Sequence, residues 1–185
     1  MNFLFRILYL PFNVLQKIYW FLWRKNQLSL FHKVGENVRI SNGGFFHNEQ
    51  ISIGSNVYIG QSCRFQASLS QIIIGNNVMF GPEVSLHAGN HRTDIIGRFM
   101  IDITLDEKLP ENDQDIIIKD DVWIGANAII LKGVTVGQGS IIGAGSIVSK
   151  SISPYSVVTG NKLQAIRTRW SEEKIKEHKK KVYDN

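Results

Sequence analysis

Cysteine is nearly missing from this chain. Cys63 stands alone among 185 residues, which excludes a disulfide framework and a thiolate-held metal. It sits beside an apolar phase (Ile59, then Phe65), so it is expected to be structural, and the absence of disulfides suits the cytoplasm. Ser, His and Asp nowhere take the spacing of a nucleophilic triad, and no Gly-rich phosphate loop or nucleic-acid-reading motif is present. An uninterrupted membrane span is missing too. Residues 1 to 23 are largely apolar, but two interior charges (Arg6 and Lys17) and Pro11 count against a spanning helix. No small-residue cleavage site of a secretory signal follows them. Acids are fewer than bases: 16 Asp and Glu face 21 Lys and Arg, for a net charge of +5. Part of that excess lies in the tail from Lys174 to Lys181. The balance is compatible with phosphate-bearing ligands or anionic lipid and specifies neither. With 43% hydrophobic and 20% charged residues, the chain is expected to form one folded domain with an appendage.

The appendage is the start. Among residues 1 to 23 the polar positions are Asn2, Arg6, Asn13, Gln16 and Lys17, and at 100° per residue they fall in one stripe that Arg24 extends. The spacing predicts an amphipathic helix over residues 1–30 with a broad apolar face, bent at Pro11. Two readings stand side by side. The helix lies in a membrane interface, with Tyr19, Trp20 and Trp23 at headgroup level and Arg24 and Lys25 against anionic lipid, or it packs on protein.

Residues 122 to 148 carry the organising signal. An aliphatic residue returns every six positions at Ile124, Ile130, Val136, Ile142 and Val148, and Gly follows Ile124, Val136 and Ile142. A helix would need i, i+3, i+4, i+7 spacing and would lose about 1 kcal/mol at each glycine. The β-branched content favours strands, and a period of six is the mark of a parallel β-helix. Each hexad makes one short strand and one corner, with Gly, Asn or Asp expected to tolerate the corner backbone.

The beat extends backwards through Leu86, Phe80, Ile74, Phe65, Ile59 and Ile53 to a start near Val34 and Ile40. It is offset at residues 41 to 52 and again near Ser68–Ser70. Residues 88 to 115 then carry no hexad, and a segment this long inside a compact fold is functional rather than slack. It is expected to leave the prism and lie over a neighbouring surface. Pro154 is expected to end the strand pattern. Ser171-Glu-Glu-Lys starts a C-terminal helix whose lysine run is a solvated end.

Five histidines are present: His32, His47, His87, His91 and His178. Three histidines on such a prism are able to hold zinc. His87 and His91, four apart, lie about 13 Å from each other along an extended strand, too far to share an ion. His47 would have to be the third ligand, from an irregular corner. No metal site is therefore expected.

The segment Ala88-Gly-Asn-His-Arg-Thr-Asp94 resembles the Asn-His-Arg-x-Asp motif of the xenobiotic acetyltransferases, a branch of the hexapeptide-repeat acyltransferases. The resemblance continues through Asp120-Asp-Val-Trp-Ile-Gly, Lys132-Gly-Val-Thr-Val-Gly, Ile142-Gly-Ala-Gly-Ser, Thr159-Gly-Asn with Ala165-Ile-Arg, and the terminal Arg-x-Trp-Ser-Glu-Glu. It spans roughly residues 50 to 180. It implies a mainly β fold, a left-handed parallel β-helix over residues 31–160, closed by a strand and helix over 161–185. His91 is implied as the general base of a direct transfer from acetyl-CoA, with Asn90 and Asp94 beside the acceptor. Trp123, Ala126, Ala144, Gly145, Ser149, Lys150 and Arg167 are implied along the acetyl-CoA cleft between two subunits of a homotrimer. The family's Gly-Asn-Pro-Ala is replaced here by Gly160-Asn-Lys-Leu163, which weakens the placement of Arg167. His87, one residue past the inward Leu86, is the reserve candidate for the base and is expected to point outward.

These features imply an acetyl-CoA-dependent O-acetyltransferase. The apolar start favours a sugar hydroxyl in capsular or other surface polysaccharide, including lipid-linked sugars, while the motif itself points to a xenobiotic acceptor. A metal-dependent lyase on the same prism and a non-catalytic assembly protein are the rivals from other classes. Nucleic acid is not an expected partner.

Overall fold

The computed structural model describes residues 2–160 and 165–182. Helix α1 (Asn2–Leu30) comes first and contains Pro11. Among the described residues, seventeen short strands follow, numbered β1 to β17 in chain order, and helix α2 (Glu172–Val182) comes last. Strands β1 to β15 fall on three faces in strict rotation, and β16 and β17 both join the second. The first face holds β1 (Lys33–Val34), β4 (Ile51–Ile53), β7 (Ile72–Ile74), β10 (Ile116–Ile118) and β13 (Thr135–Val136). The second holds β2 (Arg39–Ile40), β5 (Tyr58–Ile59), β8 (Met79–Phe80), β11 (Trp123–Ile124), β14 (Ile141–Ile142), β16 (Ser156–Thr159) and β17 (Ala165–Thr168). The third holds β3 (Phe45–Phe46), β6 (Arg64–Gln66), β9 (Ser85–His87), β12 (Ile129–Leu131) and β15 (Ile147–Val148). Every pairing within the prism is parallel; only β16 with β17 is antiparallel.

Inward residues explain the period. Ile59, Phe65, Phe80, Leu86, Ile124, Ile130, Val136, Ile142 and Val148 are all fully buried. A second inward column, two residues earlier in each hexad, was not evident from the aliphatic beat: Val57, Cys63, Val78, Val84, Val122, Ala128, Val134, Ser140 and Ser146 are buried as well. Burial pushes the Cys63 thiol up to about 11, so it is an inert core residue. At the lower end, Phe46, Phe65 and Phe80 stack at centroid spacings of 5.3 and 5.1 Å, with Phe31 capping the column.

Corner chemistry differs from the expectation in one respect. The glycine after the inward aliphatic residue is not there for a left-handed backbone. A Cβ on Gly125 would lie 2.6 Å from the Ala144 nitrogen of the next coil, so the glycine permits close stacking. The left-handed residue comes later in the corner, at Asn56, Asn77, Asn127 and Gly145 among others. Asn side chains there bond coil to coil, Asn37 to Asn56 at 3.1 Å and Asn56 to Asn77 at 3.2 Å.

Pro154 does not end the prism. β16 adds a parallel strand to the second face beyond it. The proline stacks over Gly137 at a corner, where the absence of an N–H costs no ladder bond. α2 begins just after Ser171, whose carbonyl accepts from Ile175 N–H at 3.0 Å. The Asn161–Leu163 turn and its missing proline lie outside the described residues.

The C-terminal end of α1 is fixed to the first coils. Arg24 donates to Asn42 Oδ1 at 3.0 Å, Asn48 donates to the Gln27 carbonyl at 3.1 Å, and Trp23 and Leu28 pack on the core. Further up, Tyr9, Leu10, Phe12, Leu15, Ile18, Tyr19, Phe21 and Leu22 are exposed. No described helix is long and apolar enough to cross a membrane.

Candidate active site

The long loop leaves the prism after β9 and returns at β10. Both ends are zipped together: Asn90 N–H donates to the Asn112 carbonyl at 2.7 Å, Gln114 N–H to the Ala88 carbonyl at 2.9 Å, and Gly89 pairs with Asp113. Asp113 is enclosed and forms an ion pair with the similarly enclosed Lys108. A side chain on Gly89 would collide with the Asp113 carboxylate, so the glycine is needed for this approach. Farther out, Arg98 grips Glu107 with both nitrogens and Thr104 N–H donates to Glu107 at 3.0 Å. Arg98, then Thr104, hold the Glu107 carboxyl down to about 2. The loop is therefore a built structure, cross-linked within itself.

His91 stands on this base, exposed, with its backbone N–H bonded to Asn90 Oδ1 at 3.0 Å. Together with Asn90 it lines a cleft of about 380 Å³ at the edge where the third face turns into the first. Asp94 does not line that cleft. It accepts from Arg92 Nε at 2.8 Å and Nη2 at 3.2 Å, while Arg92 Nη1 reaches the Glu107 carbonyl at 2.7 Å. Asp94 thus braces Arg92, which does face the cleft.

Two further histidines share the cleft. His87 is half-buried and faces it, and burial, then the Arg64 charge, pushes its pKa down. His47 sits with Nδ1 2.5 Å from the Ala67 carbonyl. The Ala67 N–H also approaches Nδ1, at 3.2 Å, so the ring is held against the Ala67 backbone. In the sequence His47 stands only as a possible metal ligand, and Lys108 and Asp113 carry no functional signal. The offset at residues 41 to 52 was the available signal for His47; no local signal marks the Lys108–Asp113 pair. Among the described residues no group of three His, Cys, Asp or Glu side chains could hold a metal ion.

The residues expected along the acetyl-CoA cleft fall into separate places on one chain. Ala126 and Ala144 stack at the corner between the second and third faces, where Gly145 N–H donates to the Ala126 carbonyl at 2.8 Å. Space around Gly145 is open. Trp123, half exposed, shares a register row with Ile141, Val157 and Arg167 on the second face. Ser149 and Lys150 are exposed just past β15, two coils above His87, roughly 10 Å by strand spacing.

The family described as bacterial transferase hexapeptide (six repeats) matches residues 115–150. A galactoside O-acetyltransferase of Lactococcus lactis is 30% identical over 161 residues, covering 84% of this chain and 69% of that protein. A chloramphenicol acetyltransferase of Escherichia coli is 37% identical over 117 residues, covering 58% and 56%. The crystal structure of a hexapeptide-repeat acetyltransferase from Vibrio cholerae, complexed with acetyl-CoA, superposes with a TM-score of 0.64 at 27% identity, covering 78% of this chain and 73% of that one. The chain spans about half to two thirds of the length of the curated relatives it matches. With the rotation of strands over three faces, the inward hexad column and this likeness along most of the chain, the protein belongs to the hexapeptide-repeat acetyltransferases, and its prism is their left-handed parallel β-helix.

Proposed function

We propose that the chain is an acetyl-CoA-dependent O-acetyltransferase acting on a sugar hydroxyl of surface-polysaccharide biosynthesis, with His91 as general base. The observation that carries this reading is His91 lining a cleft of mixed polar and apolar residues, on a loop zipped to the prism by Gly89, Asp113 and Lys108. No nucleophilic side chain takes a triad position beside it, so the chemistry it fits is direct transfer. The His91 imidazole removes the proton of the acceptor hydroxyl as that oxygen attacks the thioester carbonyl carbon. The carbon–sulfur bond then breaks, and His91 returns the proton to the departing sulfur. Asn90, His47 and the neutral His87 are placed to orient the acceptor's other hydroxyls. Trp123, Ala126, Ala144, Gly145, Ser149, Lys150 and Arg167 would hold the cosubstrate.

Those residues are divided between the second face (Trp123 and Arg167), its corner with the third (Ala126, Ala144 and Gly145) and the far edge of the third (Ser149 and Lys150), so a continuous cleft calls for a neighbouring copy, and a homotrimer supplies one. The loop residues Ile96, Phe99 and Ile101, exposed in the single chain, suit that contact. The uncovered apolar face of α1 favours an enzyme on the inner face of a membrane and an acceptor presented there. The Lactococcus relative, named for a galactoside acceptor, supports the sugar. A chloramphenicol-type acceptor is the second reading, favoured by the Escherichia coli relative. Acetyl transfer to a galactoside and to chloramphenicol, measured side by side, separates the two. Thermal stabilisation by acetyl-CoA and CoA, and none by zinc, is expected. A zinc response without a CoA response would move the reading to a metal-dependent lyase.

A further inference from the structure

The C-terminal third of α1 and the first coil enclose a second groove, of about 520 Å³, at the side of the prism. Three cations line it: Arg24 and Lys25 from the helix, and Arg39 from β2. No acidic residue lines it, and among the described residues none of the three is ion-paired to a carboxylate. Arg24 is oriented by its bond to Asn42 at 3.0 Å, which uses one of the five guanidinium hydrogens, and both residues line the groove. Arg39 follows the strand alternation, outward while Ile40 points in.

The groove is amphiphilic. Phe21 and Leu28 form its apolar side, and Phe21 is exposed together with Ile18, Val14 and Leu10, which lie farther up the same side of α1. A ligand that fills it therefore carries an anionic group at one end and an apolar body continuing along the helix. We propose that this groove is a headgroup site for a phosphate-bearing membrane lipid, with the phosphate between Arg24, Lys25 and Arg39 and the acyl or prenyl chain against α1. This rests on reading α1 as a membrane-contacting helix. It adds that contact is made through a built site shared with the prism, not by helix adsorption alone.

Arg39 makes the test decisive because it lies on the prism and not on the helix. The full-length protein is co-sedimented with phosphatidylcholine vesicles with and without a phosphatidylglycerol fraction, alongside Arg39→Gln and Lys25→Gln variants whose melting temperatures match wild type. The expected result is stronger partition onto the anionic vesicles, a drop of about fivefold for each variant there, and no change on phosphatidylcholine alone. Excess inorganic phosphate at matched ionic strength is expected not to release the protein. Equal anionic partition of Arg39→Gln and wild type would overturn the groove site while leaving α1 as a membrane helix. Absence of binding to either vesicle would overturn both. Release by inorganic phosphate would assign the groove to a soluble phosphate.

Discussion

Asp113 is almost wholly enclosed, with the Lys108 ammonium on one side and the bare α-carbon of Gly89 on the other. Removing one member of a buried pair leaves the other charge without a partner, at a cost of about 3–5 kcal/mol. Lys108→Met should therefore lower the melting temperature and disorder the base of the His91 loop. Hydrogen exchange at residues 88–91 and 112–114 would show it as lost protection. His87 supplies a second residue-scale prediction. Its folded-state pKa lies below the ordinary 6.5, first because it is buried and second because Arg64 is near. The unfolded state thus binds the proton more readily, and the His87 share of stability is present above about 6.5 and lost as pH falls through the folded value. Denaturant titrations across that window should show a loss of stability on acidification that His87→Gln reduces. Neither the buried pair nor the His87 environment was legible in sequence, because both depend on partners brought together by the fold: Lys108 with Asp113, and His87 with Arg64 from the coil below.

At the scale of the strand and corner, most of the fold was legible. One aliphatic residue per hexad is visible along the chain, and the three faces follow from it. The second inward column was harder to read because it mixes Val, Cys, Ala and Ser, which share small size and not hydropathy. The interruption at 88–115 was legible as a loop leaving the prism, but its closure was not, since Gly89 and Asp113 meet across a long stretch of sequence. Two glycines separate the two corner roles. Gly125 has an ordinary backbone and no room, whereas Gly145 has φ +68 and open space around it. Gly145→Ala should cost only the conformational penalty, about 1 kcal/mol. Gly125→Ala forces two coils apart and should cost more, read as a larger fall in denaturant midpoint.

For the molecule as a whole, α1 and the loop leave exposed apolar surface that a lone prism has no use for. In the proposed function the loop portion meets the neighbouring copy of a trimer. Phe99, 78% exposed, gives a direct test: Phe99→Glu should shift sedimentation toward smaller species without unfolding the prism, seen as unchanged far-ultraviolet circular dichroism. A monodisperse trimer in that variant would place the loop away from the interface. In the proposed function the helix portion meets the membrane, and the separation of the two surfaces predicts that assembly and membrane contact are altered independently.

The measurement that bears most directly on the proposed mechanism is acetyl transfer by wild type and His91→Ala, with acetyl-CoA binding measured on the same preparations. The prediction is a fall in kcat of about 10²-fold or more, with acetyl-CoA affinity and assembly unchanged. Equal loss of acetyl-CoA binding and turnover, or full turnover without the imidazole, would contradict the role of His91 as the general base.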